Sequence, residues 1–324
     1  MESKGLKFKI VYVLVSHLKD TYAEQCYLSI YSLRKVHPVS SVTIVMDNDT
    51  HQELSGVRKE LLEMADDVVV VDFEDDVTPM VRSRVLKTTL RQRIEGDFMF
   101  LDCDTVCVKP LYELNSILSS CGGGIYAVQD CHVPVHGMSP GNIAYHTANA
   151  NKIGYDIEKE DEHFFNSGMQ LVTDSKESHQ FYEKWNDNYL RWLQQACVRT
   201  DQATMSLTNG QMGHVIKRLP VKFNFQISAT IYKLKSACII HYFATGCPEN
   251  GGIFPLQNQS LLRELRDDPE KVKRITDKCM ENPINSLDYF KLMCGYVEYN
   301  QRLRKMAHVI CKCLIGLKVK LLKK

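Results

Sequence analysis

Two aspartates, Asp102 and Asp104, follow the apolar run "FMFL" in the segment "FMFLDCDTVCV". Successive side chains of an extended strand point to opposite faces, so these two acids share a face if the strand continues. Two carboxylates on one face repel each other unless a cation lies between them. Their hard oxygen ligands suit Mg²⁺ or Mn²⁺, and either ion can hold a diphosphate. The pair predicts a divalent-cation site; the structural alternative is two acids that end a strand and solvate a turn.

A second chemistry is open to the same segment. "DCDTV" is similar to the motif of haloacid dehalogenase-type phosphatases, in which the first Asp is the nucleophile and the second a general acid/base. That motif normally lies on the first strand of the chain, whereas about three strand–helix units precede it here. No later apolar run ends in an acidic pair. The phosphatase hypothesis is therefore the less favoured one.

Apolar runs and helical patterns alternate through the first hundred residues, which is typical of a largely parallel α/β sheet. The predicted strands are "KIVYVLV" (9–15), "SVTIVM" (41–46) and "DVVVVDF" (67–73), with helices at 22–36, around 51–64 and at about 80–94. Open parallel sheets bind ligands beyond the carboxyl ends of their strands. Asp102, at the end of the fourth strand, lies where a site is expected.

The pattern loosens after Pro110 and includes a long insertion at 131–160 that is rich in His, Gly and Asn. Regular patterns return after the insertion. They are "HFFNSGMQLV" (163–172), a helix at 176–194 and the helix start "RTDQATMSL". The strand-like pieces "KRLPVKFNF" and "ACIIHYF" follow. Two regions are predicted, a domain at 1–255 and a helical C-terminal extension at 256–324.

Composition excludes several classes of protein. With 44% apolar residues the 324-residue chain can form a proper core, and a formal net charge of +1 does not favour a nucleic-acid partner. The twelve cysteines show no paired Cys or His at the spacing of a structural zinc site. We find no signal-peptide cleavage site and no run of about 18 apolar residues. These features predict a cytoplasmic protein with reduced thiols.

Four further features, in order between residues 9 and 246, resemble glycosyltransferase family 8. They are "FLDCDTVCVKPL", "FFNSGMQLV", "DQATMSL" and "IIHYF". The resemblance implies an α/β protein of the GT-A (Rossmann-like) fold, with a mixed, mainly parallel sheet flanked by helices. It also implies a glycosyltransferase that moves a hexose from a UDP-sugar to a glycan or lipid-linked saccharide acceptor, with Mn²⁺ or Mg²⁺ and retention of anomeric configuration.

The resemblance assigns roles to individual residues. It implies a metal site of Asp102, Asp104 and His241, and catalytic positions around the donor sugar for three residues: Asn166, Asp201 and Gln202. From the residue types alone, His241 fits a core histidine equally well. On the same basis, the structural alternative for Asn166 is a turn residue, and the alternative for the Asp201-Gln202 pair is the start of a helix.

The resemblance also assigns donor binding to residues that precede the Asp102–Asp104 motif and to residues within it. Tyr22 matches a tyrosine that stacks on uracil, and Asp20 is a substitute for an acid or amide that contacts the base. Arg84 or Lys87 matches an arginine that contacts the donor, and Cys103 lies between the two acids. These residues, with Asp102 and Asp104, form the predicted donor-binding set.

One segment departs from the family pattern. After its metal-binding histidine the family usually has a lysine that grips the diphosphate, whereas "HYFATGCPENGG" contains no lysine. A cation from elsewhere, such as Lys233 or Lys235, would then be needed. The departure keeps open a non-catalytic GT-A domain that binds a nucleotide sugar or a glycan.

The segment "QRLRKMAHVICKCLIGLKVKLLKK" has apolar residues at helical spacing and eight cations without an acid. A basic amphipathic helix of this kind can lie on an anionic bilayer. Residues 302–324 therefore predict peripheral contact with a membrane surface; a terminal helix packed on the domain is the alternative.

Overall fold

The computed structural model describes residues 5–120, 123–133, 140–227, 231–244 and 252–292. Its strands are β1 (Lys9–Leu14), β2 (Val42–Asp47), β3 (Asp67–Val71), β4 (Phe98–Leu101), β5 (Thr105–Cys107), β6 (Ile125–Gln129), β7 (Phe165–Val172), β8 (Ile216–Arg218), β9 (Phe225–Gln226) and β10 (Ile239–His241). Its helices are α1 (Tyr22–Val36), α2 (Asn48–Glu53), α3 (Leu61–Met64), α4 (Pro79–Thr88), α5 (Leu90–Arg93), α6 (Glu113–Ser120), α7 (Pro140–Lys152), α8 (Lys176–Ala196), α9 (Asp201–Gln211), α10 (Gln259–Glu264), α11 (Pro269–Glu281) and α12 (Tyr289–Lys291).

The larger sheet has the strand order β3-β2-β1-β4-β7-β6-β8. Its pairings are parallel except those of β7, which runs antiparallel to β4 and β6. The chain passes outward from β1 to β3 and then returns to place β4 on the other side of β1. This reversal is a topological switch point, where the loops after two neighbouring strands diverge and leave a crevice. The loop after β1 and the acids after β4 both border this crevice.

Alternation along β4 divides its side chains between two apolar layers. Phe98 and Phe100 pack with Trp185 of α8 on one face, while Met99 and Leu101 pack on the other face, which α1 covers. The same alternation continues past the end of the strand, because Cys103 belongs to the second layer. Asp102 consequently lies on the Phe100 side.

A second, smaller sheet brings a distant histidine to the two acids. It has the order β5-β10-β9, and antiparallel pairing of β5 with β10 places His241 opposite Thr105. The pairing is extended by a hydrogen bond of 3.0 Å from the Tyr242 N–H to the Asp104 carbonyl. The last residue of β10 therefore lies directly beside the acid pair.

Two predicted helices differ from the structure. The continuous helix expected around 51–64 is wrong, because Leu54 and Ser55 are extended and Gly56 has a φ of +55°. A glycine adopts this left-handed conformation without a steric penalty, so the chain can break there. The helix expected at 80–94 is divided at Thr89, where the backbone leaves helical geometry.

Helices α10 and α11 pack against α1, and Asp277 of α11 accepts hydrogen bonds from Tyr31 and Lys35 of α1. The boundary near residue 255 remains a prediction. In the part of the chain that the structure describes, no helix combines the length and apolar character needed to span a bilayer. The basic segment at 302–324 lies outside the described residues.

Candidate functional site

Asp102, Asp104 and His241 converge at the end of β4. One ligand atom from each side chain lies within 4.8 Å of the other two. The His241 Nε2 is 3.0 Å from the Asp104 Oδ1, and His241 is almost fully buried. The structure thus brings together all three residues for which a metal site was predicted.

The ring of His241 is held from two sides. Its Nδ1 lies 3.2 Å from the Asn224 Oδ1, and its face stacks on Phe243 with 3.9 Å between ring centroids. When Nδ1 donates to the Asn224 oxygen, the tautomer is fixed and Nε2 faces the acids. An oriented imidazole of this kind is typical of a metal ligand.

The electrostatics of this pair are dominated by burial and by the mutual contact. Burial alone would raise the pKa of Asp104, but the neighbouring His241 outweighs it and lowers the pKa below its usual value. Burial alone would lower the pKa of His241, but Asp104 outweighs it and raises the pKa. Asp104 is therefore ionised at neutral pH and favours a positive charge at its side.

Gly168 of β7 leaves the space in which these groups meet. A Cβ built on this glycine would lie 2.5 Å from both the Asp102 Oδ2 and the His241 Cε1. Real Cβ atoms do not approach other atoms so closely, and the obstructing groups are held by their own contacts. The backbone there approaches the cluster more closely than any side chain would allow.

Two cations lie beside the acids, and the structure places both sequence candidates at the site. The Lys87 Nζ is 3.2 Å from the Asp102 Oδ1, 2.9 Å from the Asp201 Oδ2 and 3.2 Å from the Ser167 Oγ. The Arg84 Nε is 3.0 Å from the Asp201 Oδ1. Burial raises the pKa of Asp201, but Arg84 and Lys87 outweigh it and hold the pKa well below its usual range.

Side-chain amides connect these acids to a further carboxylate. The Asn166 Nδ2 donates to the Asp130 Oδ1 at 2.9 Å, and the Asn166 Oδ1 accepts from the Asn224 Nδ2 at 2.9 Å. The Gln202 Oε1 accepts from the Ser167 N–H at 3.4 Å. Asn166, Asp201 and Gln202 therefore lie together on the β7 side of the acid pair.

The loop after β1 forms the opposite wall. The Asp20 carboxylate accepts hydrogen bonds from the Ser16 hydroxyl at 2.6 Å and from the N–H groups of His17 and Tyr22 at 2.9 and 3.1 Å. Asp20 therefore shapes the loop, and its predicted contact with a base stays a prediction. Tyr22 begins α1 and is 38% exposed, so part of its surface is accessible to a ligand.

Two arginines from outside the loop hold it in place. Arg58 donates to the carbonyls of His17 and Asp20 at 3.0 and 2.8 Å, and Arg266 donates to those of Leu18 and Asp20 at 2.9 and 2.6 Å. Both guanidinium groups also pair with the fully buried Glu24. The C-terminal helical region thus contributes directly to the geometry of the N-terminal loop.

Cys103 does not present its side chain to the site. Its thiol is buried in the apolar layer beneath α1 and donates to the Val13 carbonyl at 3.4 Å. Strand alternation explains the difference, since Cys103 points away from the face that Asp102 occupies. The predicted donor contact of this residue could involve its backbone but not its thiol.

Sequence reasoning missed several residues of the cluster. Asp130 carried a usable signal, because it follows the apolar segment "IYAVQ" as Asp102 follows "FMFL". Asn224 carried none, because its importance lies in contacts with Asn166 and His241 that depend on the folded chain. Lys233 and Lys235, proposed as substitute cations, are exposed, and residues 245–250 lie outside the described part.

Structural comparison returns glycosyltransferases. The galactosyltransferase LgtC, in complex with donor and acceptor sugar analogs, is 16% identical, with 72% of this chain and 87% of that chain covered and a TM-score of 0.47. Mouse xyloside xylosyltransferase 1 is 12% identical, with 73% and 98% covered and a TM-score of 0.47. GlyE of Streptococcus pneumoniae TIGR4 is 18% identical, with 73% and 55% covered and a TM-score of 0.45.

A comparison with curated proteins gives no match. A family model does match: residues 97–248, from the start of β4 to beyond β10, fit the model described as glycosyl transferase family 8. This segment contains the acid pair, the Asn166 strand, the Asp201 helix and His241 in the order that the sequence motifs predict. Over residues 97–248, a little under half of its length, the chain is thus similar to glycosyl transferase family 8.

Proposed function

We propose that this protein is a glycosyltransferase that transfers a hexose from a UDP-sugar to a glycan or lipid-linked saccharide acceptor and that it depends on a divalent cation. The observation that carries the proposal is the convergence of Asp102, Asp104 and His241 beside the pair of Lys87 and Asp201. No phosphatase is proposed, because the family match covers the same acid motif.

The residues present fit Mn²⁺ or Mg²⁺. Two carboxylates and one imidazole form a donor set that suits Mn²⁺ in particular, and Gly168 keeps the space between them free of a side chain. Three carboxylates (Asp102, Asp104 and Asp201) face two basic side chains (Arg84 and Lys87), so the cluster favours additional positive charge. When bound, the cation would neutralise charge that develops on the departing diphosphate.

The protein's own residues would bind and orient the donor. Tyr22 would stack on the uracil, and the loop shaped by Asp20 would border the base. Lys87 and Arg84 would hold Asp201 ionised and aligned, so that its carboxylate accepts hydrogen bonds from sugar hydroxyls. Since the pKa of Asp201 is held low, this group would bind and orient the sugar and would not supply a proton at neutral pH.

Gln202 and Asn166 would surround the reacting carbon. The Gln202 Oε1 already accepts from Ser167 N–H, and Asn166 spans Asp130 and Asn224, so both amides are positioned before a substrate arrives. Retention of configuration, as the family resemblance implies, would then place the acceptor hydroxyl on the same face as the leaving diphosphate.

One observation favours a second candidate, a non-catalytic domain that binds a nucleotide sugar or a glycan. The family's lysine after the metal-binding histidine is absent from "HYFATGCPENGG". Arg84 and Lys87 already pair with carboxylates, so they would have to exchange partners to contact a phosphate. This candidate predicts Mn²⁺-dependent binding of UDP without hydrolysis or transfer of any UDP-sugar.

The test is isothermal titration of UDP with and without Mn²⁺, using the wild type, Asp104→Asn, and Asp267→Asn as a control at an exposed carboxylate. We expect binding that requires Mn²⁺ in the wild type and the control and weakens at least tenfold, about 1.4 kcal/mol, in Asp104→Asn. A UDP affinity that is the same with and without Mn²⁺, and the same in the wild type and Asp104→Asn, would overturn the assignment of the donor site. A screen of UDP-sugar turnover then separates enzyme from binding domain.

A further inference from the structure

A second cluster of metal-ligating side chains lies next to the donor pocket. Asp130 follows β6, Cys131 is the next residue, and His146 comes from α7 in the 131–160 insertion. One ligand atom from each lies within 4.8 Å of the other two. The His146 Nε2 is 3.0 Å from the Asp130 Oδ2, and the Cys131 Sγ is 3.9 Å from the same oxygen.

These separations are close to those of a tetrahedral zinc site. With Zn–N and Zn–O bonds of about 2.0 Å and a Zn–S bond of about 2.3 Å, tetrahedral angles require N–O and O–S separations of about 3.3 and 3.5 Å. The observed values of 3.0 and 3.9 Å differ from these by a few tenths of an ångström. Small rotations of the side chains would close the gap.

Contacts around the cluster orient its ligands. The Asp130 Oδ1 accepts from Asn166, which leaves Oδ2 toward His146 and Cys131. The His146 ring packs edge-on against Phe164 at 4.8 Å, and the Cys131 N–H donates to the Gln226 Oε1 at 2.8 Å. Outer contacts of this kind hold metal ligands in place, and a hydrogen-bonded carboxylate, a packed imidazole and a cysteine with an anchored backbone are present here before any ion binds.

We propose that Asp130, Cys131 and His146 form a zinc site with three protein ligands and one open coordination position. Thiolate and imidazole ligands select a borderline-soft ion such as Zn²⁺, whereas the set of Asp102, Asp104 and His241 suits the harder Mn²⁺. On binding, the Cys131 thiol gives its proton to solvent and a Zn–S bond forms. The site differs from the paired-cysteine structural zinc that the sequence spacings argue against.

The zinc site is also linked to the donor pocket. Asp130 bonds to Asn166, Asn166 to Asn224, and Asn224 to His241. A dication on the Oδ2 of Asp130 withdraws charge from the oxygen that Asn166 uses and thereby weakens this contact. We expect zinc to change the affinity for UDP with Mn²⁺; this part of the inference rests on the proposed function.

The first experiment adds Co²⁺ to the full chain and records the near-ultraviolet band of a thiolate–cobalt bond. We expect a band at one equivalent that Zn²⁺ abolishes, and its loss in Cys131→Ser and in His146→Gln. The matched controls are Cys197→Ser, at an exposed cysteine, and Asp104→Asn. Both should retain the band.

A wild type without the band, or a Cys131→Ser variant that retains it, would overturn the site. Circular dichroism of Cys131→Ser and His146→Gln establishes whether the two variants fold. If Cys131→Ser does not fold, His146→Gln, which keeps the thiol, still tests the site independently. The link is tested by titrating UDP and Mn²⁺ into zinc-loaded and zinc-free wild type. Equal affinities would overturn the link, whereas absence of UDP binding altogether would contradict the proposed function and leave the cobalt result intact.

Discussion

Gly168 shows how a single residue without a side chain makes room for charged ones. Its Cα faces the point where the Asp102 and His241 side chains meet, and these two groups arrive from strands of different sheets. An added methyl group could be accommodated only if one of them moved away. The requirement is local to the cluster, because Gly168 lies on a regular strand.

We predict that Gly168→Ala weakens Mn²⁺-dependent UDP binding at least tenfold, about 1.4 kcal/mol, because the Cβ displaces a ligand. Calorimetric titration measures this. Gly210→Ala is the matched control, since a Cβ there would meet only Tyr155, at 3.6 Å. The control should keep its affinity and gain about 0.5–1 kcal/mol of stability in α9. Equal affinities for the two variants would show that Gly168 has no special role.

At this scale, sequence reasoning was informative where the signal is local. The acid pair is found from the run "FMFL", His241 is implied by the family resemblance of "IIHYF", and the structure brings the three together. The sequence leaves Arg84 and Lys87 as alternatives on one helix, whereas in the structure both reach Asp201. Asn224 could not be predicted, because an amide acquires its role only from partners that folding supplies.

Among the elements, α1 depends on contacts at its two ends. At its C-terminal end, the His37 Nε2 accepts from the Leu111 N–H at 2.9 Å, which requires a neutral ring. At its N-terminal end, Tyr22 follows the loop that Arg58 and Arg266 hold. The contact at the C-terminal end affects the stability of the protein, and the contacts at the N-terminal end affect ligand binding.

Burial lowers the pKa of His37 in the folded protein. The unfolded chain therefore binds a proton more readily, and stability falls as the pH drops below about 6.5. We predict that His37→Gln, which keeps an acceptor but does not titrate, removes part of this loss between about pH 8 and pH 5. Urea unfolding midpoints for the two proteins measure it. Parallel pH profiles would contradict the prediction.

Arg266→Gln removes donors to the carbonyls of Leu18 and Asp20 and leaves Glu24 with Arg58 alone. We predict a several-fold loss of UDP affinity together with about 1–3 kcal/mol of lost stability, since the buried Glu24 carboxylate and the Asp20 carbonyl each lose one of their two arginine partners. The zinc-dependent cobalt band should not change. Arg274→Gln, at an exposed arginine of α11, is the control for loss of charge. Unaltered UDP binding in Arg266→Gln would mean that the loop keeps its shape without this residue.

The sequence predicts the ends of an element well where charged residues and turn residues mark the same boundary. The helix at 22–36 is confirmed residue for residue, since the acidic and basic ends and His37-Pro38 all mark it. The break at Gly56 was missed because "VRKELLEMA" continues a helical pattern that tertiary packing divides. Antiparallel β7 could not be distinguished from a parallel strand, because it is buried along its whole length and lacks the apolar–polar alternation of a half-exposed antiparallel strand.

For the whole molecule, the alternation of strands and helices was sufficient to predict a largely parallel α/β sheet, while its mixed character was implied by the family resemblance alone. The pairing of β5 with β10 was not predictable, because it joins two three-residue strands far apart in the chain. The basic segment at 302–324 remains a prediction from its composition.

We predict that truncation after Arg304 releases the protein from liposomes that contain anionic lipid, because each lost cation contributes up to about 1 kcal/mol near such a surface. Co-sedimentation with anionic and with neutral liposomes measures the effect. The truncated chain should retain Mn²⁺-dependent UDP binding. If it sediments with anionic liposomes as the full chain does, the membrane contact is located elsewhere.

The pairing of β5 with β10 also has a consequence for the order of folding. Strands β1 to β4 can associate early, since each pairs with a neighbour that is close in topology, and such an intermediate would already contain Asp102 and Asp104. It would lack His241 until the intervening chain had closed its long loop, which is an entropically slow step. Acquisition of Mn²⁺ affinity during refolding would therefore mark the moment at which β10 pairs with β5.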